Sequence, residues 1–436
     1  MKVAITTLGC KANQYDSFAI EGMLMDNYRV VPFSEPADAY IINTCTVTNI
    51  ADYKSRYLIR KAKKSNPDAV VIVTGCYAQV SPDDVKRIGG IDYILGNVDK
   101  DTILNLIYRG KQEVPQIIVN SLESSALNLK PNLIAKGSSD RTRAFLKIQD
   151  GCNRRCSYCI IPYARGKSRS LSFDDMIREI ELLIQNNYKE IVLTGIHLGS
   201  YGTADREGSL AKLIKEIDKR NYPCRFRISS LDPDEVTDEL IEIMALSNGI
   251  CNHLHLAVQS CDDSILQRMN RHHYSKDLFF EKVKKIHDAI DDISIGIDII
   301  AGFPGETDRQ FMNTYKSLED LPLTYFHIFP FSKRKGTPAH DFKDEVDFRL
   351  KEERCILLKN LGQEKRQNFY KTQIGKGACV LVESIVGKDS EMVKGKSRNY
   401  IPVVFKYGTG IINKEVNVLL KESKGKEVFG VYDVRC

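Results

Sequence analysis

Residues 143–159 read RAFLKIQDGCNRRCSYC. An alternating apolar run ends in three cysteines, Cys152, Cys156 and Cys159, spaced Cys-x3-Cys-x2-Cys with no fourth. The alternation is that of a strand, so the cysteines fall on the loop that follows it. Three thiolates do not close a structural zinc site, which takes four protein ligands. A 4Fe–4S cluster held by three cysteines differs, because one iron keeps an open position that can chelate a small molecule and pass it an electron.

Downstream of this loop, EIVLTGI, RFRISSL, HLHLAVQ, SIGIDIIAG and YFHIFPF read as further strands. Helix-period stretches such as FDDMIREIELLIQNN and KDLFFEKVKKIHDAI lie between them. With the opening run, the units predict a partial (β/α)6 barrel over residues 140–372, closed by a helix over 345–372. Active sites of such barrels lie at the carboxyl mouth of the strands, where the cysteine loop falls.

Upstream, residues 1–135 alternate strand-like KVAITTLG, AYIINT, AVVIVTG and YILGN with helical stretches. That pattern predicts a doubly wound parallel sheet. Cys10, Cys45 and Cys76 end VAITTLGC, AYIINTC and VVIVTGC. Their separation is too long for a local motif. The carboxyl ends of parallel strands share one edge, however, so the sheet should bring the three thiols together as a second open iron–sulfur site. Residues 120–140 lack a period and read as a linker. Over 373–436, short β-branched runs between Gly and Lys turns predict a small antiparallel barrel of the OB-like kind, a frequent nucleic-acid binder.

The totals fit this picture. The chain has 436 residues, 42% hydrophobic and 28% charged, as a soluble globular protein does. It has no apolar run of about 18 residues that could span a membrane, and its start lacks a signal-peptide profile. A cytoplasmic location is expected, where the 12 cysteines point to metal or catalysis and not to disulfides. Arg366–Cys436 holds 13 basic and 7 acidic side chains, an excess equal to the net +6 of the whole chain. A basic tail suits a phosphate backbone. Lys388, Lys394, Lys396 and Arg398 lie near Tyr400, Phe405 and Tyr407, and a basic helix carries Lys54, Arg56, Arg60, Lys61, Lys63 and Lys64. Cys224, Cys251, Cys355, Cys379 and Cys436 read as structural or surface thiols, and Cys261 as a small space-filling residue. A protein that only bound RNA would have no use for two open irons.

The GCNRRCSYC loop after a barrel strand resembles that of the radical S-adenosylmethionine (SAM) superfamily, whose open iron chelates SAM. The resemblance implies that Tyr158 packs on the SAM adenine, that Gln259 meets the ribose, and that Gly302 in GIDIIAGFPGET flanks the adenosyl group. Two open clusters followed by a basic barrel resemble the methylthiotransferase family over essentially the whole chain, with a tail like the TRAM RNA-binding domain. TLGCKANQYDS, VTGCYAQ, CIIPYARGKSRS and FPFSKRKGTPA look most like the branch acting on threonylcarbamoyladenosine beside the tRNA anticodon. Ala257 and Cys261 depart from the proline and glycine common in the family.

The resemblance implies two 4Fe–4S clusters, two SAM per turnover (methyl donor and radical source), and transfer of methylthio to carbon-2 of the adenine. It also implies tRNA as substrate, an electron donor such as flavodoxin or ferredoxin, and a monomer. No side-chain acid or base is demanded beyond the cluster ligands. Arg165 and Arg169 are expected to meet the threonylcarbamoyl carboxylate or a phosphate. The same chemistry on isopentenyladenosine, or on an aspartate of a ribosomal protein, stays open.

Overall fold

The computed structural model describes residues 1–122, 129, 131, 142–202, 209–387, 391–407 and 409–433. Most of the expected linker, Lys388 and Cys436 lie outside the described residues.

The first unit is a six-stranded parallel sheet: β1 (Lys2–Thr7), β2 (Arg29–Val31), β3 (Ala39–Thr44), β4 (Val70–Gly75), β5 (Tyr93–Leu95) and β6 (Gln116–Ile118). Its order is β2-β1-β3-β4-β5-β6. The short edge strands β2 and β6 were not expected from the sequence; both are partly exposed, unlike the equally short but fully buried β5. Every residue of β3 and β4 is buried, as befits central strands covered by helices on both faces. One apolar layer runs along Ala4, Tyr40, Ile42, Val71 and Val73, the other along Val3, Ile41, Ile72 and Leu95. The strand order reverses between β1 and β3, which opens a crevice at their carboxyl ends. Helices α1 (Lys11–Met25), α2 (Asn49–Ser65) and α3 (Cys76–Val80) start at that edge.

The second unit contains all six expected barrel strands: β7 (Arg143–Lys147), β10 (Glu190–Thr194), β11 (Arg225–Ile228), β12 (His253–Gln259), β13 (Ser294–Ala301) and β14 (Tyr325–Pro330). A two-residue ladder of β8 (Gln149–Asp150) with β9 (Arg169–Ser170) brackets the cysteine loop. The six strands form two parallel sheets of three, β11-β10-β7 and β12-β13-β14. Parallel bridges Phe226–Ile250 and Leu231–Leu256 join them. The barrel stays open between β7 and β14, and α1 packs against the β7 edge. The apolar residues of these strands, such as Leu146, Ile191, Phe226, Leu254, Ile297 and Phe326, point outward into one large core.

The helix Phe348–Gln373 leads to the third unit. There β15 (Gly377–Ile385), β16 (Met392–Ser397), β17 (Pro402–Lys406), β18 (Glu415–Lys424) and β19 (Glu427–Tyr432) close in the order β15-β16-β17-β19-β18. All pairs are antiparallel except β17 with β19, which run parallel. That pair is the one departure from a purely antiparallel barrel.

Candidate functional site

The barrel loop is fixed at both ends. Cys152 donates its amide to Gly166 O at 3.0 Å, and Cys159 donates to Cys156 O at 3.0 Å, a turn that places these two thiols together. Ser157 anchors the middle through its amide to Met269 O at 2.9 Å and its hydroxyl to Arg268 O at 2.8 Å. Burial, then the neighbouring Cys156 and Cys152, pushes the Cys159 thiol up to about 12. Arg271, which sequence reasoning missed, places Nη1 3.5 Å from Cys156 Sγ, and Nη2 donates to Asp232 Oδ1 at 2.6 Å and Ala257 O at 2.8 Å. Arg154 bonds His197, Asp234 and Glu235 alongside.

In the first unit the three cysteines lie at the carboxyl edge of the sheet. Cys10 precedes α1, Cys45 follows β3 and Cys76 opens α3. The three thiols lie within electrostatic reach of one another. Burial pushes Cys45 up to about 12, and Cys76 and Cys10 add to it. A Cβ on Gly9 would lie 2.8 Å from both Cβ and Sγ of Cys45, so the β1–α1 turn passes directly over that sulfur. Asn13 Nδ2 staples the strand ends by donating to Leu8 O at 2.8 Å and Thr44 O at 2.9 Å. In each triad three neighbouring thiols suit a soft, thiolate-seeking metal centre that displaces their protons on binding, and among the described residues no fourth cysteine joins either set. Both donor sets fit a three-cysteine iron–sulfur cluster.

A cavity of about 230 Å³ opens between the two units. Val47 and Thr48, just past Cys45, form one wall, and Tyr158, Cys159, Gln259 and Asp298 line the other. Tyr158 packs edge-on to Phe303 with ring centroids 6.3 Å apart. Gln259 has φ +65, the left-handed region unusual for a residue with a side chain, at a register shift in β12. Such strain concentrates at functional sites. Gly302 lies at the end of β13 and donates its amide to Glu306 Oε2 at 2.8 Å. Cys261 is buried in the apolar core, with its amide on Thr314 Oγ1 at 3.1 Å.

The basic residues expected at an RNA surface lie elsewhere. Arg165 is 1% exposed. Its Nη1 meets both Asp150 oxygens at 3.0 Å, and Nη2 meets Asp16 at 3.1 Å and Asn13. Lys147 bridges the same carboxylates, 2.5 Å from Asp16 and 2.8 Å from Asp150, and Lys100 lies 2.7 Å from Asp16. Arg165 is therefore a strut between the two triads, and no phosphate reaches it. Burial alone would raise Asp16, but Lys100, Lys147 and Arg165 hold it well below the usual carboxylate range. Arg169 lies beside this strut, with Nη2 donating to Arg165 O at 3.3 Å.

Lys394 pairs with Glu427, Arg398 grips Glu415 at 2.9 Å, and Lys396 lies 3.6 Å over the Tyr400 ring. Tyr400 turns inward onto His253 and Arg227 at the barrel floor. The sequence could not show this, because the loop over 397–400 docks through backbone carbonyls: Ser397 O and Arg398 O accept from Arg227. Exposed basic side chains remain in the tail at Lys406, Lys421, Lys424 and Lys426, and on α2, where Lys54, Arg60 and Lys61 accompany Tyr53 and Tyr57, 63% and 56% exposed.

Comparison with known proteins agrees with this fold. The Radical SAM superfamily matches residues 146–318, and the uncharacterized protein family UPF0004 matches residues 2–96. The chain is 40% identical to the threonylcarbamoyladenosine tRNA methylthiotransferase MtaB of Bacillus subtilis, over 95% of this chain and 93% of that protein. It is 39% identical to the protein of the same name from Aquifex aeolicus, over 88% and 93%. To the tRNA-2-methylthio-N(6)-dimethylallyladenosine synthase of Acetivibrio thermocellus it is 33% identical, over 96% and 88%. Among solved structures, the radical SAM methyltransferase TsrM from Kitasatospora setae, with cobalamin and a 4Fe–4S cluster bound, aligns with a TM-score of 0.56 at 14% identity. That alignment covers 78% of this chain and 77% of that one, a likeness of fold alone.

Proposed function

The chain belongs to the radical SAM tRNA methylthiotransferases, and from that premise we propose that it converts threonylcarbamoyladenosine beside the tRNA anticodon to its 2-methylthio derivative. The observation that carries this reading is the cavity that runs from Cys159 of the barrel triad to Val47 and Thr48, just past Cys45. Sulfur transfer to an unreactive carbon needs a radical source and a sulfur source within reach of one base. In this reading Cys152, Cys156 and Cys159 hold the radical-generating cluster, and Cys10, Cys45 and Cys76 hold a second cluster that presents sulfur. Tyr158, Gln259 and Gly302 seat SAM, which is used twice per turnover. When bound, the clusters and SAM supply the electron, the radical and the sulfur. The protein positions the base and keeps water away from a reactive intermediate.

Greater identity to the threonylcarbamoyl-acting relatives, 40% against 33%, favours that base over the isopentenyl one. Residues 1–135, 140–372 and 373–436 act as sulfur-site, radical and TRAM-like RNA-binding modules, with the tyrosine-bearing face of α2 as a second RNA platform through stacking and phosphate contact. Among the described residues no helix is long and apolar enough to cross a membrane. In this reading the enzyme is a cytoplasmic monomer served by a flavodoxin or ferredoxin. Nucleoside mass spectrometry of tRNA from cells lacking the protein tests the reading. The methylthio form of threonylcarbamoyladenosine should vanish and return on complementation. Loss of the isopentenyl counterpart instead would move the assignment to the other branch, and no change in either would direct it to a protein substrate.

A further inference from the structure

The segment from Arg268 to Arg271 runs back beside the barrel cysteine loop and is tied to it at successive residues. Arg268 O and Met269 O accept from Ser157, and Asn270 Nδ2 donates to Arg155 O at 2.7 Å. Asn270 takes φ +56, a conformation that asparagine tolerates better than most residues, at the turn that leads into Arg271. Arg271 itself is 4% exposed.

Oxygen partners fix two of its three side-chain nitrogens. Nε donates to Tyr274 Oη at 3.1 Å, while Nη2 holds Asp232 Oδ1 and Ala257 O. Tyr274 is held in turn, its hydroxyl donating to Val258 O. Those contacts leave Nη1 directed at Cys156 Sγ, 3.5 Å away, and Cys156 is buried. A planar guanidinium gripped through its other nitrogens cannot turn aside. Asp232 caps the helical turn Pro233–Glu235 and also lies 3.3 Å from Arg154 Nη1. The carboxylate that anchors Arg271 therefore anchors the cysteine loop as well.

Hydrogen bonds to the ligand sulfurs, together with nearby charge, set the potential of an iron–sulfur centre. Reduction adds negative charge. A cation that never loses its proton, placed beside a ligand sulfur, favours the reduced state.

We propose that Arg271 is a positioning residue for radical generation: Nη1 donates to the Cys156 thiolate, and the guanidinium charge raises the reduction potential of the cluster bound there. The proposal rests on the reading of Cys152, Cys156 and Cys159 as the radical-generating site. One electron enters per cluster from an external low-potential one-electron carrier, and the guanidinium keeps all its protons. Lysine at this position would supply the charge without the fork that reaches sulfur and carboxylate together.

The test uses full-length protein reconstituted with iron and sulfide, in a Cys45→Ala background so that one centre titrates. Potentiometry followed by electron paramagnetic resonance reads the reduced fraction. Arg271→Gln should keep about four irons per chain. It should lower the ratio of reduced to oxidised cluster at a fixed potential about tenfold, a midpoint about 59 mV more negative for one electron. Arg271→Lys should recover part of that shift. An Arg271→Gln midpoint equal to that of the parent would overturn the proposal. A second measurement needs no change at Arg271. With isotope-labelled guanidinium nitrogen in its arginines, the reduced parent protein should show nitrogen coupling to the cluster, and its absence would overturn the proposal too. An iron centre that persists when Cys156→Ala is added to Cys45→Ala would instead refute the cluster assignment on which the proposal stands.

Discussion

The two triads gather three thiols by opposite routes. Cys152, Cys156 and Cys159 belong to one loop, pinned by the β8–β9 ladder and the Cys152–Gly166 hydrogen bond. Cys10, Cys45 and Cys76 come from three parallel strands whose central members are buried throughout. The first site is local in sequence, and its geometry is set within a short loop. The second exists only when β1, β3 and β4 are in register, so metal binding there would be tied to folding of the whole sheet. The loop is a site that a fold carries, whereas the strand-end triad is a site that the fold constitutes.

Removing a ligand from each separates the two most sharply. Cys156→Ala should abolish both SAM cleavage and methylthiolation. Cys45→Ala should abolish methylthiolation while SAM cleavage continues. Iron per chain should fall from about eight to about four in either variant, as expected for two 4Fe–4S centres. SAM cleavage lost equally in both would show that the sites are not separable.

This difference in locality also explains what the sequence disclosed. The loop triad is visible as spacing, and the strand-end triad becomes visible once the strands are recognised, because parallel strands share an edge. The six barrel strands announce themselves by alternation or by an apolar run, while the partly exposed edge strands β2 and β6 carry neither signal. Arg165 and Lys396 misled for one reason: a basic residue in a basic segment reads as surface, and only the tertiary partners Asp16, Asp150 and Tyr400 reveal that each is buried or covered. Arg271 carries no motif at all. It is brought beside Cys156 by the chain returning after β12, an encounter of residues 115 apart that no local pattern encodes.

Arg165 joins the two regions, so its loss should weaken both. Arg165→Met leaves Asp16 and Asp150 buried with fewer cations, a change that costs about 3–5 kcal/mol when a buried pair is broken. The sign with pH follows from the lowered carboxyls. Asp16 and Asp150 lie below the usual carboxylate range in the native protein, so their contribution is complete above about pH 4 and lost only in stronger acid. In the variant their proton affinity rises, and acid unfolding should begin at higher pH than in the native protein. An unchanged acid transition and denaturation midpoint would show that Lys100 and Lys147 suffice.

The smallest expected effect tests locality directly, through one glycine beside each triad. Gly75 has φ +96, and a Cβ there would overlap Thr44 O; Gly151 has φ +74, and its Cβ would overlap Lys167 O. Forcing alanine into such a conformation costs about 1–3 kcal/mol before any overlap is relieved. The obstacle at each site is backbone, so neither can yield by turning a side chain. Gly75→Ala should push β4 away from β3, lower the melting temperature of the apoprotein, and cost the strand-end triad its iron. Gly151→Ala strains only the pinned loop. It should cost the barrel triad its iron while the apoprotein melts within a few degrees of the unaltered one. Equal loss of melting temperature in both would mean that the loop is as much a part of the folding unit as the sheet, and the distinction between the two sites would fail.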